Sequence, residues 1–535
     1  MTRTKKRSKE SDYKSMADFG ILVTHGTDTM AWAFSALRYM MKNMKCNIAI
    51  TGSQRPLKTG FSSTDAGENI RNSLIFLTRV DPPCVAVIFN FGRTVYSSRL
   101  QKKHNWEPDA FAGEEIAKIS WDELKTYGKD LKYKRFVRPL DKLYLIRCGG
   151  AIESIRYEEG GLVPGADLVE GFLKQENQRK YYHEIYTHPV VEKGSSDMAF
   201  EDWRKIASTI ADISQENGYN TYYDGKFEEG VKLIYTNPFF TKLDYLKFLE
   251  RCEKGLVIAG YGPGNVHTKE LEKNSIMPMI KKALKEEYFV VISSQVLGGV
   301  SDFEFDTGLI PIDLGAVPSG DLTPVESQVK LSYILGHDKD IKTSAKKYKV
   351  DPYYLTESAF LSGVSFRREQ SKRKYLRIRK DQVINLDEDP FVNRNFKDAI
   401  NIVARNLKKS TKAKLTTEEY FEDIKYLFDK MGKDFEKISD FILQTQVFIR
   451  QNKAWDRIDS VRLMLARAFL RQFSKEDAEE ILKHISSHSN CFEKASEILS
   501  NIQKDSDGDG WCDAIEKEWG SDPHDPESVP KKWVK

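Results

Sequence analysis

The sequence predicts an α/β protein of two lobes with mainly parallel sheets, followed by an all-α region and a short acidic tail. Three observations carry that expectation. Between Phe19 and Leu335, short apolar runs rich in Val and Ile recur, each closed by Gly, Asn, Ser or Pro, with helical patterns between them. Runs of four to seven residues without polar alternation mark strands buried on both faces, as in parallel sheets covered by helices. After Gly336 the texture changes to long charged segments, and near the C-terminus aspartates and glycines alternate.

In order, the runs are "GILVTHG", "NIAITGS", "CVAVIFN" and "KLYLIRCGG" in the first lobe, then "GVKLIYTNP", "KGLVIAGYG" and "YFVVISSQ" in the second. The lobes divide near Gly225–Gly230. With 535 residues the chain exceeds a single core, and length alone predicts about three or four domains. The expected division is a basic tail (1–18), a first α/β domain (19–228), a second (229–340), a basic connector (341–410), a helical domain (411–503) and an acidic tail (504–535). In the helical domain, Thr416 three residues before Glu419 reads as a capping box, and Phe421, Ile424, Phe428 and Met431 fall on one stripe.

Composition is that of an ordinary soluble protein, 40% apolar and 30% charged, and a net charge of +4 is too small to imply a polyanionic partner. The run between Phe366 and Lys380 holds eight Lys or Arg; it reads as a solvated linker first and as a nucleic-acid patch second, since only Phe366 and Tyr375 offer stacking. Six scattered cysteines, Cys46, Cys84, Cys148, Cys252, Cys491 and Cys512, suit free thiols in a reducing compartment. The basic opening has no apolar run behind it, so neither a signal peptide nor a membrane span is expected, and the location is read as cytoplasmic.

Ligands bind at the carboxyl ends of strands in open parallel sheets. Four segments offer chemistry there: "VTHGTDTM" with Thr27 and Asp28, "TGSQRP", "GSSDM" with Ser195 and Ser196, and "SRLQKKH" with Lys102. A threonine hydroxyl needs a nearby base to attack at neutral pH, and a lysine oriented by a carboxylate can serve. Thr27, Lys102 and Asp28 are the right types.

Taken whole, "HGTDTM" (25–30), "TGSQRP" (51–56), "TDAGENI" (64–70) and "SRLQKKHNWEPDAFAG" (98–113) resemble the L-asparaginase and glutaminase family, including its archaeal amidotransferase branch. "GLVIAGYGPGNV" (255–266), "VVISSQVLGG" (290–299) and "GAVPSGDLTPVESQVKLSYILGH" (315–337) resemble its second lobe. The resemblance implies Thr27, Lys102 and Asp28 as the catalytic group, Ser195, Ser196 and Asp28 as the grip on an amino acid, no cofactor for catalysis, and a homo-oligomer. Its opening parts come late here: "CGGAIES" (148–154), "EEGGLVPGADL" (158–168) and "GSSDMAFEDWRKIASTI" (194–210) follow the segments they normally precede. The family's first-loop threonine falls on Ala151 and its flap tyrosine on Leu162, with Ser154 the nearest other hydroxyl. The readings are an amidohydrolase acting on the side-chain amide of asparagine, with glutamine second; a non-catalytic amino-acid-binding or interaction module; and a component of tRNA-dependent amidation.

The tail "DSDGDGWCDAIE" places Asp505, Asp507, Asp509, Asp513 and Glu516 at positions one, three, five, nine and twelve of a loop, Gly510 at six and the Trp511 carbonyl at seven. That is the EF-hand spacing for Ca2+, with hard oxygens, a bidentate glutamate and a glycine for the sharp turn. The following "KEWGSDPHDPES" resembles thrombospondin type 3 repeats, with Asp522 and Asp525 as further oxygen donors; such repeats leave an extracellular location open.

Overall fold

The computed structural model describes residues 17–57, 64–78, 83–119, 124–126, 139–156, 162–164, 167–301, 305–364, 389–410, 417–434, 437–438, 441–442, 445, 448–449, 452 and 455–530. The basic run 366–380 and Thr416 of the expected capping box lie outside them. The chain divides into two compact units, one of residues up to 367 together with 384–408, the other of 368–383 and the remainder.

The first unit is built on an eight-stranded sheet. Its strands are β1 (Phe19–Thr24), β2 (Ile48–Thr51), β3 (Val85–Phe89), β4 (Thr94–Lys102), β5 (Phe111–Ile119), β6 (Leu124–Thr126), β7 (Leu140–Gly149) and β8 (Tyr182–Lys193), in the order β8-β7-β1-β2-β3-β4-β5-β6. From β8 to β3 all neighbours are parallel; β4, β5 and β6 join antiparallel. The central strands are buried along their whole length, as unbroken Val and Ile runs require when helices cover both faces. Helix α1 (Met30–Met40) follows β1, and α2 (Ala66–Leu77) packs Ile70, Leu74 and Leu77 into a core with Leu22, Ala49, Ala86 and Leu145. Helix α3 (Phe200–Glu216) buries Trp203, Ile206, Ala207, Ile210 and Ala211, the three-to-four spacing of one apolar stripe.

A second sheet has four parallel strands in sequential order, β9 (Lys232–Tyr235), β10 (Gly255–Gly260), β11 (Phe289–Ser294) and β12 (Val317–Pro318). Helix α4 (Pro324–Gly336) follows it, started by the Thr323 hydroxyl accepting from Glu326 N. It lies against α1, where Arg38 pairs with Glu326 at 2.6 Å and Trp32 Nε1 donates to Gln328 Oε1 at 3.3 Å. Two buried lysines sit close by. Lys330 pairs with Asp389 at 2.7 Å and donates to Ser362 O, while Lys42 donates to the carbonyl of Phe391. Residues 389–391, well beyond the second sheet in sequence, thus answer charges buried beneath them.

The second unit is helical. α5 (Thr417–Met431) buries Phe421, Ile424, Phe428 and Met431, the stripe expected from the sequence, against Val461, Leu465 and Leu470 of α6 (Ile458–Arg471). Its last helix, α7 (Asp513–Trp519), sends Ala514, Ile515 and Trp519 into the same core, so the acidic tail is continuous with the helical unit. All six cysteines are unpaired. Among the described residues, no helix is long and apolar enough to cross a membrane.

Candidate active site and acidic loop

Three loops meet at the carboxyl ends of the adjacent parallel strands β1, β7 and β8. They are His25–Thr29 after β1, Gly149–Ala151 after β7, and the 3₁₀ turn Ser195–Asp197 after β8. Their backbones approach so closely that two glycines are required. A Cβ on Gly26 would stand 2.4 Å from Ser195 Oγ, and one on Gly150, whose φ is +85°, would stand 2.5 Å from Gly26 Cα. Opposing chain occupies the volume any larger residue needs.

Thr27 is buried at the tip of the first loop. Lys102 Nζ donates to Thr27 Oγ1 at 2.8 Å and to Asp28 Oδ1 at 2.6 Å. Lys102 ends β4, whose register shifts around Ser98, next to Arg99 at φ +57°; such bulges bend a strand and re-aim its end. Thr27 Oγ1 also donates to Gln54 Oε1 at 3.3 Å. The amide of Gln54 in turn donates to His104 O at 2.9 Å. The Gln54 loop is pinned by Asp65, which accepts from the backbone N–H of Gln54 at 3.1 Å and of Arg55 at 3.3 Å; burial pushes the Asp65 carboxyl up, against those hydrogen bonds. Gln54 and Asp65 fall inside quoted motifs, but their roles depend on a tertiary approach that local sequence does not show.

Ser195 is buried and braces the same turn, its Oγ accepting from Asp28 N at 3.2 Å and its carbonyl from Thr29 Oγ1 at 2.8 Å. Ser196, next in that turn, is exposed, and the Asp28 carboxylate is 61% exposed and open to a ligand. The structure therefore gathers Thr27, Asp28, Lys102 and Ser195 at one place. The backbone N–H of Asp28 is thus committed to Ser195. Burial lowers the pKa of His25 to about 4, and its Nδ1 bonds the Gly26 carbonyl at 2.7 Å.

Ala151 opens the 3₁₀ turn after β7, where it presents only a methyl group. Ser154 does not replace a hydroxyl at that loop, because it is buried and its Oγ donates to Gly150 O at 2.8 Å. Beside it Arg147 pairs with Glu153 at 3.0 Å, and burial pushes the Glu153 carboxyl up to about 7. Leu162 lies in a short strand, Leu162–Pro164, antiparallel to Ser154–Arg156.

The family model for the asparaginase N-terminal domain matches residues 7–132 and 142–222, and that for the glutaminase/asparaginase C-terminal domain matches residues 230–347. The chain belongs to the asparaginase/glutaminase family. Among relatives in that family, an L-asparaginase of Thermococcus kodakarensis is 21% identical over 327 residues, 61% of this chain and 73% of that protein. A glutamyl-tRNA(Gln) amidotransferase component of Pyrococcus abyssi is 24% identical over 337 residues, 62% of this chain but only 57% of that protein. Of solved structures, the thermostable L-asparaginase of Thermococcus kodakarensis is similar with a TM-score of 0.39 and 20% identity, covering 65% of this chain and 79% of that one. The region after residue 347 lies outside both family matches.

The acidic loop lies in that region. One oxygen from each of Asp505, Asp507 and Asp509 falls within 4.8 Å of the others. Asp505 accepts from Gly508 N at 2.8 Å and Gly510 N at 3.1 Å, Asp507 from Asp509 N at 3.2 Å, and Asp509 from Trp511 N at 2.8 Å. Asp507 Oδ2, Asp509 Oδ2 and both oxygens of the fully buried Glu516 are left without a donor. Burial first, then Asp509 and Asp507, raise the Glu516 carboxyl to about 7. Asp513, expected as a ligand at position nine, accepts from the Ser506 N–H at 3.0 Å and from its hydroxyl at 2.8 Å. Asp522 and Asp525 each accept from a backbone N–H two residues on, at 3.1 Å.

Proposed function

We propose that the first unit is an amidohydrolase of the asparaginase type that hydrolyses the side-chain amide of asparagine, with glutamine second. The observation that carries this reading is Lys102 Nζ lying 2.8 Å from Thr27 Oγ1 and 2.6 Å from Asp28 Oδ1. The Lys102–Thr27 contact is the path for a proton, and as the neutral amine Lys102 takes the threonine's proton along it. Thr27 Oγ1 then attacks the amide carbon, the C–N bond breaks, ammonia leaves with the proton returned, and water hydrolyses the acyl ester. Asp28 orients Lys102 and its exposed carboxylate pairs with the substrate's α-ammonium. Ser195 holds the turn, and Ser196 is placed to grip the amino-acid end.

Ala151 favours a second reading, a module that binds an amino acid without turnover, since the loop beside Thr27 carries no hydroxyl free to attack. A part in tRNA-dependent amidation rests on the names of relatives and would show as RNA binding that weakens steeply with salt. The rearranged segment order is supported by β7, which pairs in parallel with β1 from Phe19–Lys142 to Thr24–Arg147. Homo-oligomerisation and a reducing, cytoplasmic setting complete the reading.

Ammonia release from asparagine by the purified chain is the test. Thr27→Ala and Lys102→Ala should each remove it by on the order of 10³-fold or more, because residues acting as a unit fail together. Release unchanged by Thr27→Ala excludes the mechanism. No release from the native chain, with asparagine still raising the melting temperature and activity appearing in Ala151→Thr, establishes the binding module instead.

A further inference from the structure

We propose that the loop from Asp505 to Glu516 binds one Ca2+ and that the ion clamps α7 into the core of the helical unit. Three aspartates bring oxygens within 4.8 Å of one another. Acidic clusters are common without a metal, and the deciding feature is Glu516. It is 0% exposed, neither of its oxygens has a partner, and the inner oxygens of Asp507 and Asp509 are equally buried and unpartnered. Four carboxylate oxygens withdrawn from water with no donor leave a cation as the group that satisfies them.

The donor set is all oxygen: Asp505, Asp507, Asp509, the Trp511 carbonyl and a two-oxygen Glu516. That suits Ca2+, which takes six to eight oxygens in adaptable geometry, better than Mg2+, which demands a tight octahedron and keeps its waters. It offers neither the nitrogen nor the sulfur that zinc prefers. Gly508 at φ +79° and Gly510 at φ +95° let the loop turn back on itself.

Coupling to the fold runs through Glu516, which lies on α7. On that helix Ile515 and Trp519 are in the core, Glu518 is held by Arg467 and by Arg471 at 2.9 Å, and the Trp519 ring stacks on Phe473 at 4.9 Å. Trp511, from the loop, packs on the same Phe473 at 5.0 Å. Without a cation the carboxylates repel one another where α7 must dock; with it, loop and helix are drawn to a common centre.

The test is calorimetric titration of CaCl2 into the full chain after chelator treatment, paired with thermal melting. One saturable site is expected, tighter for Ca2+ than for Mg2+, with a raised melting temperature for the helical unit. Glu516→Gln and Asp509→Asn should each weaken binding about tenfold or more and remove the thermal shift. Should those variants misfold, Tb3+ emission sensitised through Trp511 in the native chain, displaced by Ca2+ and reduced in Trp511→Phe, reads the same site. No heat up to about 10 mM Ca2+, above the weakest range for such loops, overturns the proposal, as does undiminished binding in Glu516→Gln. Binding without a thermal shift overturns the clamp.

Discussion

Gly26 has room for a hydrogen and little else, with Ser195 Oγ on one side and Gly150 Cα on the other. Gly26→Ala should therefore destabilise by about 1–3 kcal/mol, the usual cost of overpacking, and displace Thr27 from Lys102. Urea denaturation reads the first effect and ammonia release the second; an unchanged midpoint would contradict the close approach. At this scale the sequence showed the chemically active groups and hid their supports. Thr27, Asp28 and Lys102 were legible because reactive types stood at strand ends inside recognisable strings. Ser195 was expected to grip substrate, and nothing local to it indicated that its hydroxyl also accepts from a backbone N–H 167 residues away. Gln54 gave no local sign that it would meet Thr27. The absence of a hydroxyl at Ala151 was plain from the sequence, whereas the commitment of Ser154 to Gly150 arises only in the folded loop.

Strands β1, β2, β3 and β7 were legible because a parallel strand covered on both faces must be apolar throughout. The antiparallel edge β4–β6 was not, since bulges around Ser98 break the two-residue alternation that would have announced it. α5 was legible from its stripe, and α4 hides its contacts because nearly every side chain along it is buried. The contact between α4 and α1 contains one largely buried ion pair. Arg38 is 13% exposed and Glu326 2%, so Arg38→Ala leaves a buried carboxylate without its paired guanidinium, the Arg99 N–H still donating to its other oxygen, and should cost about 3 kcal/mol. The double variant Arg38→Met, Glu326→Leu should recover most of that loss. Equal stability of the single and native chains, measured by denaturant midpoint, would mean that the pair holds nothing.

Across the whole chain, the division into an α/β part and a helical part was readable from the change in texture after Gly336, but the folded units do not follow sequence boundaries. The acidic tail enters the helical core, and residues 389–391 return to the α/β unit, because each completes something buried there. Lys42 makes the second case measurable. Burial lowers its pKa from 10.5 to about 7, against the pull of Asp224 and Asp389. The unfolded chain holds a proton that the folded chain has shed between those values, so stability should rise as pH climbs from about 7 to 10.5. Below about 7 both states carry it and the penalty is complete. Urea midpoints at successive pH values should show that slope, and Lys42→Met should flatten it; an identical slope in the variant would assign it to another group. The same feature decides where the gene can be cut. The family match ends at residue 347, and a recombinant fragment stopped there would contain the whole of it. It would also lack the carboxylate that pairs with Lys330 and the carbonyl that receives Lys42, leaving two lysine side chains in the interior without those partners. The shortest independent fragment of the α/β unit therefore runs past Phe391, more than forty residues beyond the point that homology would choose.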